Sequence, residues 1–183
     1  MKLEVLQRDK FYHIYNKGIN GCNIFNSDEN KSYFLKLVSK YLTDKVSILA
    51  YCLMDNHFHF VIQIVDDEKI VSQALSNLFN AYVKAFNKQQ NRTGSLFDKH
   101  FKRIELTSDE YLKNVIVYVH LNPTHHLNVD FVDFRFSSYQ NIVNNSESLV
   151  NKSEVINLFD DIDNFKYCHN SKKQIIEDKY LLE

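Results

Sequence analysis

Apolar positions recur along this chain with two different periods, and the switches between them divide it into elements. Phe11-Tyr12-His13-Ile14-Tyr15 alternates loosely and is rich in aromatics, which predicts a first strand. Asn16 to Gly21 follows with two of the three glycines and reads as a turn that needs backbone freedom. Ser27-Asp28-Glu29 is a helix-start signal, and Tyr33, Phe34, Leu37, Val38, Tyr41 and Leu42 then recur at helical spacing, predicting a helix over 28–43. Val46 to Leu53 is a second strand. Met54-Asp55-Asn56 links it closely to a third that runs to about Val65, so the two form a hairpin. Ile70, Val71, Ala74, Leu75, Leu78, Phe79, Tyr82 and Phe86 give a strongly amphipathic helix over 69–88. Gln89 to Ser95 is a polar loop, and Leu96-Phe97 and Phe101 to Leu106 bracket a fourth strand. Ser108-Asp109-Glu110 opens a last core helix with Leu112, Val115, Ile116 and Val119 on its apolar side, and Pro123 is expected to end it.

The order β-α-β-β-α-β-α is that of an α+β, ferredoxin-like (split βαβ) antiparallel sheet with one additional helix. Two helices against one face of such a sheet leave the other face free for a site. After Pro123 the periodicity weakens. Residues 134–139 read as an extended piece or turn, 153–159 as a short helix and 171–182 as another. The expected organisation is a domain over 1–127 and a short helical C-terminal extension, 128–183, packed on that same domain.

Composition narrows the function classes. With 183 residues, 44% hydrophobic and 25% charged, the chain reads as one globular domain without a membrane partner, since no run approaches a membrane span. Met1-Lys2-Leu3-Glu4-Val5 lacks an apolar signal core, so a cytoplasmic location is expected. Cys22, Cys52 and Cys168 are far apart and odd in number, which argues against a disulfide framework or a cysteine-based zinc site. Net charge is −1, but residues 1–127 carry 16 basic groups against 13 acidic and residues 128–183 carry 6 against 10. Lys84, Lys88, Arg92, Lys99, Lys102 and Arg103 stand against one acid, Asp98, within 84–103. Such a cluster can follow a phosphate backbone or simply solvate a surface.

The chemistry-bearing stretch is Asn56-His57-Phe58-His59-Phe60-Val61-Ile62. Strand side chains alternate, so His57 and His59 share a face about 7 Å apart at the backbone, while Phe58, Phe60, Ile62 and Ile64 point into a core. Two imidazoles on one strand face suit a shared metal, but an ordinary sheet with a polar face also carries them. The last helix offers Asn114, Tyr118 and Asn122 at i, i+4 and i+8, along one side. Tyr118 also fits a boundary aromatic with a hydrogen-bonded hydroxyl, and Asn122 a C-terminal cap. His120 reads as an orienting or capping group, and His125 and His126 as surface-loop residues.

His57-Phe58-His59 resembles the HUH motif of single-tyrosine HUH transposases. Wider phrases resemble their REP-associated tyrosine transposase branch: His13-Ile14-Tyr15-Asn16-Lys17-Gly18, Leu53-Met54-Asp55-Asn56-His57-Phe58-His59, Thr93-Gly94-Ser95-Leu96-Phe97, Tyr118-Val119-His120-Leu121-Asn122-Pro123 and Phe136-Ser137-Ser138-Tyr139. Together these phrases span about residues 10–140. The resemblance implies metal-dependent cleavage and rejoining of single-stranded or hairpin DNA through a 5′-phosphotyrosine. It implies Tyr118 as nucleophile, His57, His59 and Asn122 as metal ligands, and Mg²⁺ or Mn²⁺ as the divalent cofactor. Asn16, Lys17, Arg92, Phe97, Lys99, Lys102 and Arg103 are the candidate DNA contacts. Asp55, Lys17 and Phe97 depart from the proline, arginine and tryptophan common in the branch. Relatives include dimers in which the tyrosine helix serves the partner's site and others that act as monomers, so a homodimer stays open. The competing expectation is a non-catalytic nucleic-acid-binding module, since a ferredoxin-like sheet also presents aromatics to bases.

Overall fold

The computed structural model describes residues 4–144 and 146–172. Four strands, β1 (Phe11–Lys17), β2 (Val46–Leu53), β3 (His57–Ile64) and β4 (Lys102–Glu105), form one sheet in the order β2-β3-β1-β4. All three neighbouring pairs are antiparallel. β1 and β2 therefore run parallel with β3 between them, which is the split βαβ arrangement the element order predicts.

Helices α1 (Asp28–Leu42) and α2 (Glu68–Gln89) cover one face. Their starts follow from local chemistry. Ser27 is extended ahead of Asp28 and Glu29, and the Asp67 carboxylate accepts the Lys69 N–H at 2.8 Å. Phe34, Val38, Leu75 and Leu78 bury against Ile14, Phe58, Phe60 and Ile62, so every second residue of β3 is committed to this core. The remaining residues of β3 are left to the opposite face.

That opposite face is not free. Helix α3 (Asp109–Leu127), capped by Ser108 Oγ accepting the Tyr111 N–H at 3.2 Å, packs over β2 and β3. It does not stop at Pro123 as expected but continues one turn further. Pro123 removes only its own N–H, and the last turn closes independently. Asn128 takes the left-handed conformation at φ 53° and donates its N–H to Pro123 O, and Thr124 Oγ1 accepts from Phe131 N and donates to Val129 O. His125 and His126 accordingly sit on helix rather than in a loop.

Residues beyond α3 pack on the same sheet. Leu53 N–H donates to Phe136 O at 2.9 Å, Ser138 N–H to Tyr51 O at 3.0 Å and Asn151 N–H to Ile48 O at 2.8 Å. These bonds satisfy the outer edge of β2, which would otherwise be an open template for strand pairing. Helices α4 (Tyr139–Val143), α5 (Lys152–Leu158) and α6 (Ile162–Lys172) follow. α6 precedes the helix expected over 171–182, which lies, after residue 172, outside the described residues.

The 18–21 turn uses its two glycines differently. Gly21 has φ +72° and needs a residue that tolerates the left-handed region. Gly18 has an ordinary φ of −66° but no room, since a Cβ there would stand 1.9 Å from Cys22 O. Its N–H donates to Asn56 O at 2.8 Å, next to His57. Gly18→Ala is therefore expected to cost about 2–3 kcal/mol, against about 1 for Gly21→Ala. Paired urea titrations read this, and equal losses would refute the steric account.

Candidate active site

Strand pairing fixes the composition of the site. Tyr15 lies opposite His59 and Lys17 opposite His57, so β1 places His13, Tyr15 and Lys17 on the histidine face of β3. α3 then lays Tyr118 and Asn122, one turn apart, over the same face. His13, His57, His59, Tyr118 and Asn122 are each at most 5% exposed.

The rings form a close cluster. His57 and His59 are perpendicular with centroids 5.1 Å apart. Tyr118 stands edge-on to His59 at 5.6 Å and to His13 at 6.1 Å. Tyr15 lies nearly flat on both His13, at 4.8 Å, and His59, at 5.6 Å. His126 is exposed, one turn beyond Asn122, with its ring 5.3 Å from His57. Tyr15 and His126 thus border the cluster with partly accessible rings.

Hydrogen bonds orient the donor atoms. His57 Nδ1 lies 2.7 Å from Asn56 Oδ1, which can only accept, so Nδ1 carries the proton, and when the ring is neutral Nε2 carries the lone pair. That lone pair faces Asn122 Oδ1 at 3.2 Å. The amide is turned this way because its Nδ2 donates to Tyr118 O at 3.1 Å. Two acceptors directed at each other are what a shared cation needs, and 3.2 Å is close to the spacing of adjacent ligands about 2.1 Å from one ion. His59 Nδ1 is 2.9 Å from His13 Nε2. When His59 donates this proton, its Nε2 presents the third lone pair. Burial and the neighbouring histidines hold His59 well below the usual imidazole range, and burial takes His13 down to about 3, so both are neutral as ligation requires. The donor set of two imidazoles and an amide oxygen therefore fits a divalent cation. Among the described residues no group of three or more His, Cys, Asp or Glu side chains is arranged to hold a metal, so the amide is needed to complete the set.

The other candidates divide by face. Lys17 is exposed on the histidine face, and Lys102, opposite Tyr15 on β4, is exposed there too. Lys99 is exposed on the adjoining loop. Asn16 points the other way, with Nδ2 donating to Asp98 O at 3.3 Å. Phe97 is 9% exposed and packs on Phe58 and Phe79 in the main core. Arg103, opposite Ile14, lies on the α1/α2 face over the Phe101 ring. Arg92 donates to Ser95 O at 3.0 Å within its own loop. Asn114, although in line with Tyr118, hydrogen-bonds Lys172 on α6 and does not join the cluster. His13 and His126 were not among the expected site residues, and strand register and the continued helix bring them there.

Neither a protein-family model nor a curated protein matches this sequence. Among solved structures, that of a REP-associated tyrosine transposase bound to a REP hairpin aligns with a TM-score of 0.61, over 81% of this chain and 88% of that chain, at 14% identity. The two share a fold. No described helix is long and apolar enough to cross a membrane.

Proposed function

We propose that this chain is a single-tyrosine HUH-type enzyme that cuts and rejoins single-stranded or hairpin DNA. The observation that carries the reading is the convergence of Tyr118, His57, His59 and Asn122, from two elements about 60 residues apart, on a transposase fold. Tyr118 Oη attacks the scissile phosphorus, the bond from phosphorus to the 3′-oxygen breaks, and a 5′-phosphotyrosine forms. The phenolic proton is released and the departing 3′-oxygen takes one up. Attack by another 3′-hydroxyl reverses these changes and rejoins the strand without a nucleotide cofactor. A phenol is a weak nucleophile near pH 7, and a bound divalent cation, Mg²⁺ or Mn²⁺, supplies polarisation of the phosphate and charge stabilisation. His57, His59 and Asn122 would hold it, and Lys17, Lys99 and Lys102 would meet the phosphates alongside. All four groups come together within one chain, which supports a reaction in cis. A phosphate reaching Tyr118 would have to displace Tyr15, His126 or both, the partly accessible rings beside the cluster.

The burial of Tyr118, 2% exposed, favours a second reading in which the protein binds hairpin DNA without cutting it. Incubation with Mn²⁺ and end-labelled single strands carrying hairpins separates the two. The enzyme yields a denaturation-resistant protein–DNA adduct, whereas tight binding with no adduct on any flanking sequence supports the binder.

His13 would act on a bound cation through His59, whose Nδ1 lies 2.9 Å from His13 Nε2. A neighbour that fixes a ligand's tautomer typically contributes 10–100-fold to metal affinity. His13→Phe, which keeps the volume and removes the ring nitrogen, is expected to raise the Mn²⁺ dissociation constant by about that factor in calorimetry. An unchanged constant would remove His13 from the site.

A further inference from the structure

A second group of buried polar side chains lies behind α3, away from the proposed site. His169 Nδ1 donates to Phe165 O at 2.7 Å, since a carbonyl can only accept. The neutral ring then carries its lone pair on Nε2, which receives the proton of His120 Nδ1 at 2.8 Å. That leaves His120 Nε2 to accept from Ser138 Oγ at 2.7 Å, while Ser138 Oγ accepts the Tyr51 N–H at 2.9 Å. With both imidazoles neutral, this proton order is the one that satisfies every member, and the Ser138 hydroxyl also lies 3.4 Å from Tyr51 O. Both rings are shut away from water in this arrangement, and burial holds His169 at about 4. Ser138, His120 and His169 are each 0% exposed. A serine and two histidines have the composition of a nucleophilic triad, but no substrate reaches a hydroxyl buried this completely, so the group acts on the fold.

We propose that Ser138, His120 and His169 form a strut that sets the rotation of α3 and so aims Tyr118, making residues 138–172 part of the cutting unit. The proposal rests on the reading of Tyr118 as nucleophile. His120 lies two residues from Tyr118 and two from Asn122, about 200° round the helix from each. Tyr118 and Asn122 face the sheet while His120 is gripped from behind, by β2 through Ser138 and by α6 through His169. Turning α3 by one residue would carry Tyr118 off His59. The same turn would strand the His120 N–H and the Ser138 hydroxyl in a dry interior, where unpaired polar groups are strongly disfavoured. α6 holds a second point through Lys172 and Asn114, one turn before Tyr118. His120, Ser138 and His169 are positioning residues, not catalytic ones.

The test uses the full chain with His169→Leu, His169→Gln and Ser138→Ala. Glutamine keeps an acceptor where Nε2 stood, leucine does not, and Ser138→Ala removes the donor at the far end with the least change in volume. With Mn²⁺ and saturating hairpin DNA, adduct formation is expected to fall at least tenfold in His169→Leu and Ser138→Ala, with hairpin affinity within twofold of the parent. His169→Gln is expected to recover to within threefold. Nitrogen-15 spectra of the parent are expected to give the Nδ1–H tautomer for both His120 and His169, the form a solvated histidine disfavours. Nuclear Overhauser contacts between the Tyr118 and His59 rings are expected in the parent and weakened in His169→Leu. Those spectra judge the strut even in a protein that cuts nothing, so loss of the nucleophile reading and loss of the strut are separable. Parent-level cutting by His169→Leu, rates that follow melting temperature instead of the acceptor at 169, ring contacts that persist in His169→Leu, or an Nε2–H tautomer at His120 would each overturn it.

Discussion

Tyr118→Phe is expected to lower adduct formation by at least about 10⁴-fold while hairpin binding and the fold persist. The change removes one oxygen from a ring that is 2% exposed and leaves its edge-on contacts with His13 and His59 in place. Losing one hydroxyl costs about 1 kcal/mol, a melting shift of about 2–4 °C for a chain this long. The kinetic loss is far larger because no spectator group can take over bond formation to phosphorus. One neighbour makes the experiment exacting. Tyr15 has its centroid as close to His59, 5.6 Å, as Tyr118 does, but it lies nearly flat on that ring at 24° while Tyr118 stands at 82°. Tyr15→Phe is therefore the control and is expected to retain adduct formation. Mass-spectrometric mapping of the linked peptide decides between them. An adduct on Tyr15, or one that survives Tyr118→Phe at the parent rate, would move the nucleophile to β1.

Much of this arrangement was legible in the sequence, where local rules and global packing agree. The period-two pattern of β3 separates His57 and His59 from Phe58 and Phe60, and the pairs follow that separation on opposite faces. The i, i+4 spacing puts Tyr118 and Asn122 on one side of α3. What was hidden depends on partners distant in sequence. His13 joins the site only because β1 pairs with β3 in a register that sets Tyr15 opposite His59. His126 does so only because α3 continues past Pro123, against the usual preference of that residue. α6 contains few apolar residues, with Phe165 and His169 doing the burying, so its periodicity was too weak to mark it. Alternation alone sets Asn16 apart from Lys17 and Arg103 apart from Lys102, so a single nucleic-acid face could not have taken both members of either pair.

Below about pH 6 the folded state is expected to lose roughly 5 kcal/mol of stability per pH unit at the steepest point. Four histidines, His13, His59, His120 and His169, are at most 1% exposed and held neutral by burial. Their folded-state values lie below the ordinary 6.5, with His13 near 3 and His169 near 4. The unfolded chain therefore binds more protons throughout the interval. The contribution is fully present above 6.5 and is lost as pH falls toward those folded values. Each such group contributes about 1.4 kcal/mol per pH unit. Against a total of about 5–15 kcal/mol for a domain, the loss of about 10 kcal/mol between pH 6.5 and pH 4.5 removes most of the stability. Urea midpoints at pH 7.5, 6 and 5 measure the slope, and a midpoint that stays level from 7 to 5 would show that these imidazoles take up protons without unfolding. His169→Gln sharpens the measurement, because deleting one buried imidazole should flatten the slope by about a quarter. Saturating Mn²⁺ is expected to raise the curve more at pH 7.5 than at pH 5 without moving the part due to His120 and His169. Protons on that pair act on the packing behind α3, whereas protons on His59 also compete with the metal. A curve that Mn²⁺ raises at pH 7.5 and not at pH 5 would therefore separate the two histidine groups by their chemistry, one holding an ion and the other holding a helix.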